Sequence, residues 1–201
     1  MFKTRIALIV AALLLTSLFT ARAADRSLQN GANEWVLLAP AGEGFSIRLP
    51  AKPKEETDRV PMMGNTYLMR LYTVVDDENG MLYMVVMQEF ASLAGILEPS
   101  VRLEKFMDGF KAGFAKSMGS MVTSLELKAE RDLDLKSHLG RQYTLSVAES
   151  RGMVRAFDAR TRVYVLLVLG ADERNESAKR FFDSFEITPA PAPVPKPIAS
   201  N

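Results

Sequence analysis

The chain has 201 residues, of which 48% are apolar and 24% charged, and its 25 Lys and Arg against 24 Asp and Glu give a formal net charge of +1. These proportions are typical of one soluble globular domain and exclude a fibrous or wholly disordered chain. The sequence contains no cysteine, which excludes disulfides, thiolate catalysis, cysteine-ligated metal sites and the lipid-modified cysteine of a bacterial lipoprotein.

The N-terminal residues have the pattern of a secretory signal peptide. Lys3 and Arg5 precede an apolar run over 6–19, and Ala21-Arg22-Ala23 supplies an A-x-A cleavage site. A retained membrane anchor is the alternative, but at about 1.5 Å per residue this run is shorter than the roughly 30 Å hydrocarbon core. We therefore expect residues 1–23 to be removed and the mature protein to be periplasmic or secreted, without a stable membrane anchor.

Removal of this signal changes the charge balance of the protein. It takes away three basic residues, Lys3, Arg5 and Arg22, and no acid, which leaves 22 basic and 24 acidic residues and a net charge of −2. A chain without a basic excess has no general electrostatic attraction for a polyanion. We therefore expect neither nucleic acid nor an anionic membrane surface as a partner.

The C-terminal residues form a proline-rich tail. Proline occupies every second position from Pro189 to Pro197, and its fixed φ angle and missing N–H exclude a helix or a central strand. We predict a disordered, extended tail over 189–201, with a solvated terminus favoured over a groove ligand or a spacer near the cell wall. Between an N-terminal extension at 24–33 and this tail, residues 34–188 are long enough for one domain.

The first half of this domain is predicted to consist of strands. Segments with alternating or continuous apolar residues are 35–39, 45–49, 55–60, 67–75 and 82–90, of which 55–60 is an edge strand or a loop. Asn79-Gly80 supplies the positive φ angles of a tight hairpin turn between the last two segments. Both faces of 82–87 are apolar, which predicts a sheet covered on both sides.

A helix is predicted after Glu98-Pro99. Apolar residues recur at helical spacing, at Leu103, Phe106, Met107, Phe110, Phe114 and Met118, before a stop at Gly119. Gly109 and Gly113 lie inside this helix, where each costs about 1 kcal/mol of helix propensity. We interpret them as points of close packing against the sheet or a neighbouring backbone.

The second half is predicted as four strands and a helix. The strand segments are 121–135, 141–149, 153–160 and 162–169, and the two-sided apolarity of 163–169 predicts a central strand. Asp172 or Asn175 caps a final helix whose buried face is Ala178, Phe181, Phe182 and Phe185. This order predicts an α+β fold with a mostly antiparallel sheet.

Three segments resemble the PsbP-like family: Gly44-Phe45-Ser46-Ile47-Arg48-Leu49-Pro50, Gly140-Arg141-Gln142-Tyr143 and Phe181-Phe182-Asp183-Ser184-Phe185. The family includes the photosystem II extrinsic subunit PsbP, a eukaryotic Ran-binding import factor and many exported bacterial proteins. The resemblance spans about residues 34 to 188 and implies an α/β/α sandwich around an antiparallel sheet. It also implies a role in binding or stabilising other proteins, and it carries over no catalytic residue. Bacterial relatives are often lipoproteins, from which this cysteine-free chain departs.

Candidate catalytic groups are few. His138 is the sole imidazole, and neither a G-x-S-x-G elbow nor an H-E-x-x-H helix accompanies it, so we expect it in a solvated turn. Asp132 and Asp134 share one strand face and are the carboxylates that a hydrolase would use, although a solvated face explains them as well. We therefore predict that the protein is not an enzyme.

Two groups of residues are candidate binding sites. The acidic turn at 76–78 offers oxygen ligands for a hard cation, and Met69, Met81, Met84 and Met87 offer thioethers for Cu(I). Exposed turns and core filling explain both groups more simply, so we predict no cofactor and no metal site. Met62 and Met63 lie in a loop bounded by proline and glycine and are predicted partner contacts.

These features favour an exported, non-catalytic PsbP-like module that binds or stabilises a protein partner of the bacterial envelope, through a sheet edge or a loop face. A periplasmic carrier of a small ligand or metal is the first alternative. A hydrolase that uses carboxylates as acid and base is the second.

Overall fold

The computed structural model describes residues 35–62, 65–90, 97–118 and 124–188. The predicted signal at 1–23, extension at 24–33 and tail at 189–201 lie outside these residues. Within them, ten strands and two helices follow in chain order: β1 (Val36–Leu38), β2 (Phe45–Leu49), β3 (Lys54–Met62), β4 (Asn65–Asp76), β5 (Met81–Glu89), α1 (Pro99–Met118), β6 (Leu125–Leu135), β7 (His138–Val147), β8 (Ser150–Asp158), β9 (Arg162–Leu169), α2 (Glu176–Asp183) and β10 (Glu186–Ile187).

A seven-stranded antiparallel sheet forms the centre of the domain. Its strand order is β3-β4-β5-β9-β8-β7-β6, so the two-sided apolar strand β9 is central, as predicted. The segment predicted as an edge strand or a loop is the edge strand β3. The turn between β4 and β5 spans residues 77–80. The predicted positive φ is confirmed at Gly80, with a φ of +63°, but not at Asn79. Asp76 Oδ1 accepts a hydrogen bond from the Asn79 N–H at 3.2 Å.

Each face of this sheet packs against a separate hydrophobic cluster. On the first face, α1 contributes Leu103, Phe106, Met107 and Phe114 against the side chains of β5, β7, β8 and β9. On the second face, β2 and α2 contribute most of the covering side chains. Alternation along β9 serves both clusters, since Val165 faces α1 and Leu166 faces α2.

The layer on the second face contains a small sheet as well as a helix. β2 pairs with β1 on one side and with β10 on the other, both antiparallel. The α+β fold with an antiparallel sheet between two layers is therefore confirmed, and the second outer layer is α2 together with this three-stranded sheet. Because β1 and β10 flank β2, the chain enters and leaves the domain through the same small sheet.

The final helix has the predicted cap. The Asn175 side chain accepts a hydrogen bond from the Ala178 N–H at 2.9 Å. Phe181 and Phe182 are buried on its inner side. Phe185, which we predicted on the same helical face, is also buried but follows the helix, because α2 ends at Asp183.

The interpretation of Gly109 and Gly113 as points of close packing is wrong. A Cβ atom built on either residue would meet no atom within 4 Å, and both residues are exposed. Nothing in the described structure therefore requires glycine at these positions.

Candidate functional site

The structure places the candidate catalytic residues in local structural contacts. His138 is half-buried at the start of β7, directly after a tight turn in which Ser137 has a φ of 69°. Asp132 Oδ1 lies 2.7 Å from Arg141 Nε, and Asp134 Oδ1 accepts a hydrogen bond from the Ser137 N–H at 2.9 Å. The two carboxylates thus stabilise a strand pair and a turn.

The candidate metal ligands are similarly dispersed. Asp76 accepts hydrogen bonds from both the backbone and the side chain of Asn79, which is the usual role of an aspartate at the start of a turn. Within the described ranges, no group of three or more His, Asp or Glu side chains could hold a metal ion. Met84 belongs to the first-face cluster and Met87 to the second-face cluster, so the sheet separates them, as the strand alternation predicts.

The predicted partner contacts at Met62 and Met63 stay a prediction. Met62 is the last residue of β3, and Met63 lies outside the described residues.

An exposed apolar edge occurs instead at β1. Leu37 is 57% exposed and Val36 is 41% exposed, which are the highest values among the large hydrophobic residues of the described ranges. Leu38 packs partly against the second-face cluster. One edge of β1 is therefore paired with β2, and the other edge has no partner strand among the described residues.

The hydrogen-bond pattern shows which backbone groups point outward from β1. Thr188 N–H donates to Gly44 O at 3.0 Å, and Arg48 N–H donates to Ser184 Oγ at 2.9 Å. The Gly44 C=O and the Arg48 N–H therefore both point away from β1. Arg48 is the register partner of Leu37. Because hydrogen-bonded and non-hydrogen-bonded pairs alternate in an antiparallel ladder, the Leu37 N–H and C=O point to the open side of β1.

The two edges of the seven-stranded sheet differ from β1 in composition. β3 has the sequence KEETDRVPM and β6 the sequence LELKAERDLDL, with charged residues along both strands and a proline in β3. Charges and proline on an edge strand oppose pairing with a further strand. β1, with the sequence VLL, has no such protection.

A buried polar cluster fixes the loop that joins β1 to β2. Glu43 is 3% exposed; its Oε2 accepts a hydrogen bond from the Tyr72 hydroxyl at 2.8 Å, and its Oε1 lies 2.7 Å from Arg70 Nε. The Tyr164 hydroxyl donates to the Glu43 carbonyl at 2.6 Å. Burial raises the pKa of the Glu43 carboxyl, against the opposing effects of Tyr72 and Arg70. The Tyr72 pKa is raised for the same main reason.

This cluster has a structural role. Arg70 also contacts Glu55 of the edge strand β3 at 3.2 Å, so the loop, β4 and β3 are joined through one guanidinium. The charged groups of the cluster therefore pair with one another within the domain.

Comparison with known proteins finds similarity in structure and none in sequence. No protein-family model and no curated protein matches the sequence. The solution structure of cyanobacterial PsbP (CyanoP) from Synechocystis sp. PCC 6803 is similar to this fold, with a TM-score of 0.49 and 11% sequence identity, over 81% of this chain and 98% of that chain. This similarity assigns neither a partner nor an activity.

Among the described residues, neither helix is long and apolar enough to cross a membrane.

The edge at β1 was not singled out from the sequence. The apolar run at 35–39 predicted a strand, but three apolar residues in succession do not reveal which backbone groups stay unpaired. That property depends on the alternation of β2 between its two neighbours, which only the register shows.

Proposed function

We propose that the protein is an exported, non-catalytic module of the bacterial envelope that binds an extended segment of a partner protein along β1. The observation that carries the proposal is the outward-pointing N–H and C=O of Leu37, on a strand whose Val36 and Leu37 side chains are exposed. An added strand pairs with such backbone groups, and its alternate side chains contact the apolar residues of the edge. The signal pattern at 1–23 supports export.

The surroundings of β1 indicate the chemistry of this partner. Arg48 is exposed, and its Nη1 donates to the Trp35 carbonyl at 3.4 Å; across the described part of the chain it has no ion pair. Since Arg48 lies directly opposite Leu37 on the outer face of the small sheet, a partner segment with an apolar residue and a neighbouring acidic residue would complement both side chains.

Site-specific crosslinking in cells tests this proposal. A photoactivatable amino acid at Val36 should yield a reproducible adduct with one partner, and the same group at the exposed Thr57 of β3 should not. Leu37→Pro should abolish the adduct because it removes the outward N–H. The variant should keep its melting temperature within a few degrees, since that N–H makes no ladder bond in the domain.

A matched variant separates strand addition from general surface stickiness. Val101→Ala removes an exposed apolar side chain on α1, where Val101 is 36% exposed, and should leave the adduct unchanged. An adduct that persists in Leu37→Pro, or that forms equally from position 57, would refute binding along β1.

A further inference from the structure

A second feature of the molecule brings two cations together on the second face of the large sheet. Arg131 Nη2 and Arg155 Nε both donate to Gln142 Oε1, each at 3.2 Å. The two donor nitrogens are therefore no farther apart than twice this distance. Gln142 is 4% exposed, so the shared acceptor is a fixed part of the domain.

The backbone places these three side chains in one row. Gln142 of β7 has Arg131 of β6 and Arg155 of β8 as its register partners, and residues opposite one another in adjacent strands have their side chains on the same face. A bulge between Ala129 and Arg131 reverses the alternation of β6. Without it, Arg131 would lie on the face covered by α1.

The packing of Arg155 restricts its position. Its guanidinium carbon lies 4.7 Å from the centre of the Phe182 ring, and its Nη1 lies 3.4 Å from Asp183 Oδ1. Burial lowers the pKa of this guanidinium, and the charge of Arg131 acts in the same direction, whereas Asp183 opposes both. Arg155 is therefore held by a ring, an amide and the Asp183 carboxylate, which is 69% exposed, and the charge of Glu173 also acts on it.

The row contains more donors than acceptors. One neutral amide oxygen receives two charged donors, and each guanidinium has five N–H groups in total. Arg131 is exposed and makes no ion pair with any described residue. Two like charges that converge on a neutral acceptor repel one another, and an anion with two or more oxygens would relieve this repulsion while satisfying free N–H groups.

We propose that Arg131 and Arg155 form a binding site for an oxyanion, either a phosphate or a carboxylate group, above the Gln142 amide. Arg155 is the half-buried, preoriented donor and Arg131 is the exposed donor. The site is independent of strand addition at β1, because it uses β6, β7 and β8 of the large sheet.

Titration followed by NMR tests the site. Sodium phosphate and sodium acetate are added separately to the mature chain at constant ionic strength, with chloride as the balancing anion, and the Nε–Hε signal of Arg155 is followed. A saturable shift of this signal is expected with at least one of the two anions, and the anion that produces it identifies the ligand as phosphate or carboxylate. Loss of a charge-assisted contact in Arg131→Gln should weaken binding by about tenfold.

A charge-matched variant controls for nonspecific attraction. Arg174→Gln removes the same charge from a residue whose side chain is 90% exposed and paired with Asp172, and it should bind as the unaltered chain does. Both substitutions are at exposed residues, so both variants should fold. The proposal is overturned if neither anion shifts the Arg155 signal, or if Arg131→Gln and Arg174→Gln respond equally.

Discussion

At the scale of single residues, the loop before β2 closes on the sheet because position 44 has no side chain. Gly44 has a φ of +69°, and a Cβ atom there would lie 2.9 Å from Arg162 Nη1 and 3.2 Å from both the Thr188 carbonyl and the Tyr164 hydroxyl. The same hydroxyl donates to the Glu43 carbonyl. Any side chain at position 44 would therefore disturb the contacts that bury Glu43.

Comparison of two glycines isolates this steric effect. Gly42 also has a positive φ, +79°, but a Cβ atom there would meet nothing within 4 Å. Gly42→Ala should cost only the conformational penalty of about 1–2 kcal/mol. Gly44→Ala should cost about 1–3 kcal/mol more, because the contacts are too close. Urea denaturation measures both losses, and equal losses would show that the close approach at Gly44 has no energetic effect.

At the scale of the elements, α1 is held by its first turn and by its apolar stripe. Arg102 Nε and Nη2 donate to the two carboxylate oxygens of Asp158 at 2.8 and 2.7 Å, with both residues buried. The predicted stripe is confirmed for Leu103, Phe106 and Phe114, which lie in the first-face cluster. A Cβ atom on Gly109 or Gly113 of this helix would meet no atom within 4 Å.

Because these glycines contact nothing, they should be replaceable. Gly109→Ala and Gly113→Ala should each stabilise the domain by about 1 kcal/mol through helix propensity, with additive effects on the free energy of unfolding in urea. Ala112→Gly, at an exposed position between them, should destabilise by a similar amount. Loss of stability on either Gly→Ala change would restore the interpretation of close packing and place the contacting atoms outside the described residues.

At the scale of the whole molecule, the two hydrophobic clusters share one sheet. Successive residues of β5 and β9 belong alternately to the two clusters. Unfolding of these strands would therefore expose both clusters together. Trp35, the only tryptophan, reports on the second face, where its ring lies 5.8 Å from that of Tyr83 and Arg180 lies 4.8 Å from its centre.

A destabilising substitution on the first face should therefore lower the urea midpoint that Trp35 reports from the second face. Arg102→Met leaves the Asp158 carboxylate buried without its partner, which should cost about 3–5 kcal/mol. Trp35 fluorescence and far-UV circular dichroism should shift to the same lower urea midpoint. Arg141→Ala, which removes an exposed pair with Asp132, should cost less than about 1 kcal/mol. Fluorescence that keeps its original midpoint while circular dichroism shifts would show that the two faces unfold separately.

Features that depend on neighbouring residues in sequence were predictable. The turn that ends at Gly80, the cap at Asn175 and the central strand β9 follow from positive φ preference, side-chain capping and two-sided apolarity, which act over a few residues. The interpretation of Gly109 and Gly113 as points of close packing was wrong because a low helix propensity shows only that glycine costs free energy in a helix. It does not show why glycine occurs there. The helix shows no contact that offsets this cost.

The two candidate sites, at β1 and at Arg131 and Arg155, could not be predicted because both depend on the register of strand pairing. The N–H and C=O of Leu37 point outward because successive residues of β2 direct their backbone groups alternately to β1 and to β10. Arg131 reaches Gln142 because a bulge shifts β6 by one residue. Neither arrangement has a local signal, since each is set by a strand distant in sequence.

By itself, the sequence determined the α+β class, the central strand β9 and the two apolar helix faces, because hydrophobic periodicity is a property of consecutive residues. Only the tertiary structure decided which backbone edge stays unpaired and which charges meet. Strand pairing brings together residues far apart in the chain, and a shift of one residue moves every side chain of a strand to the opposite face.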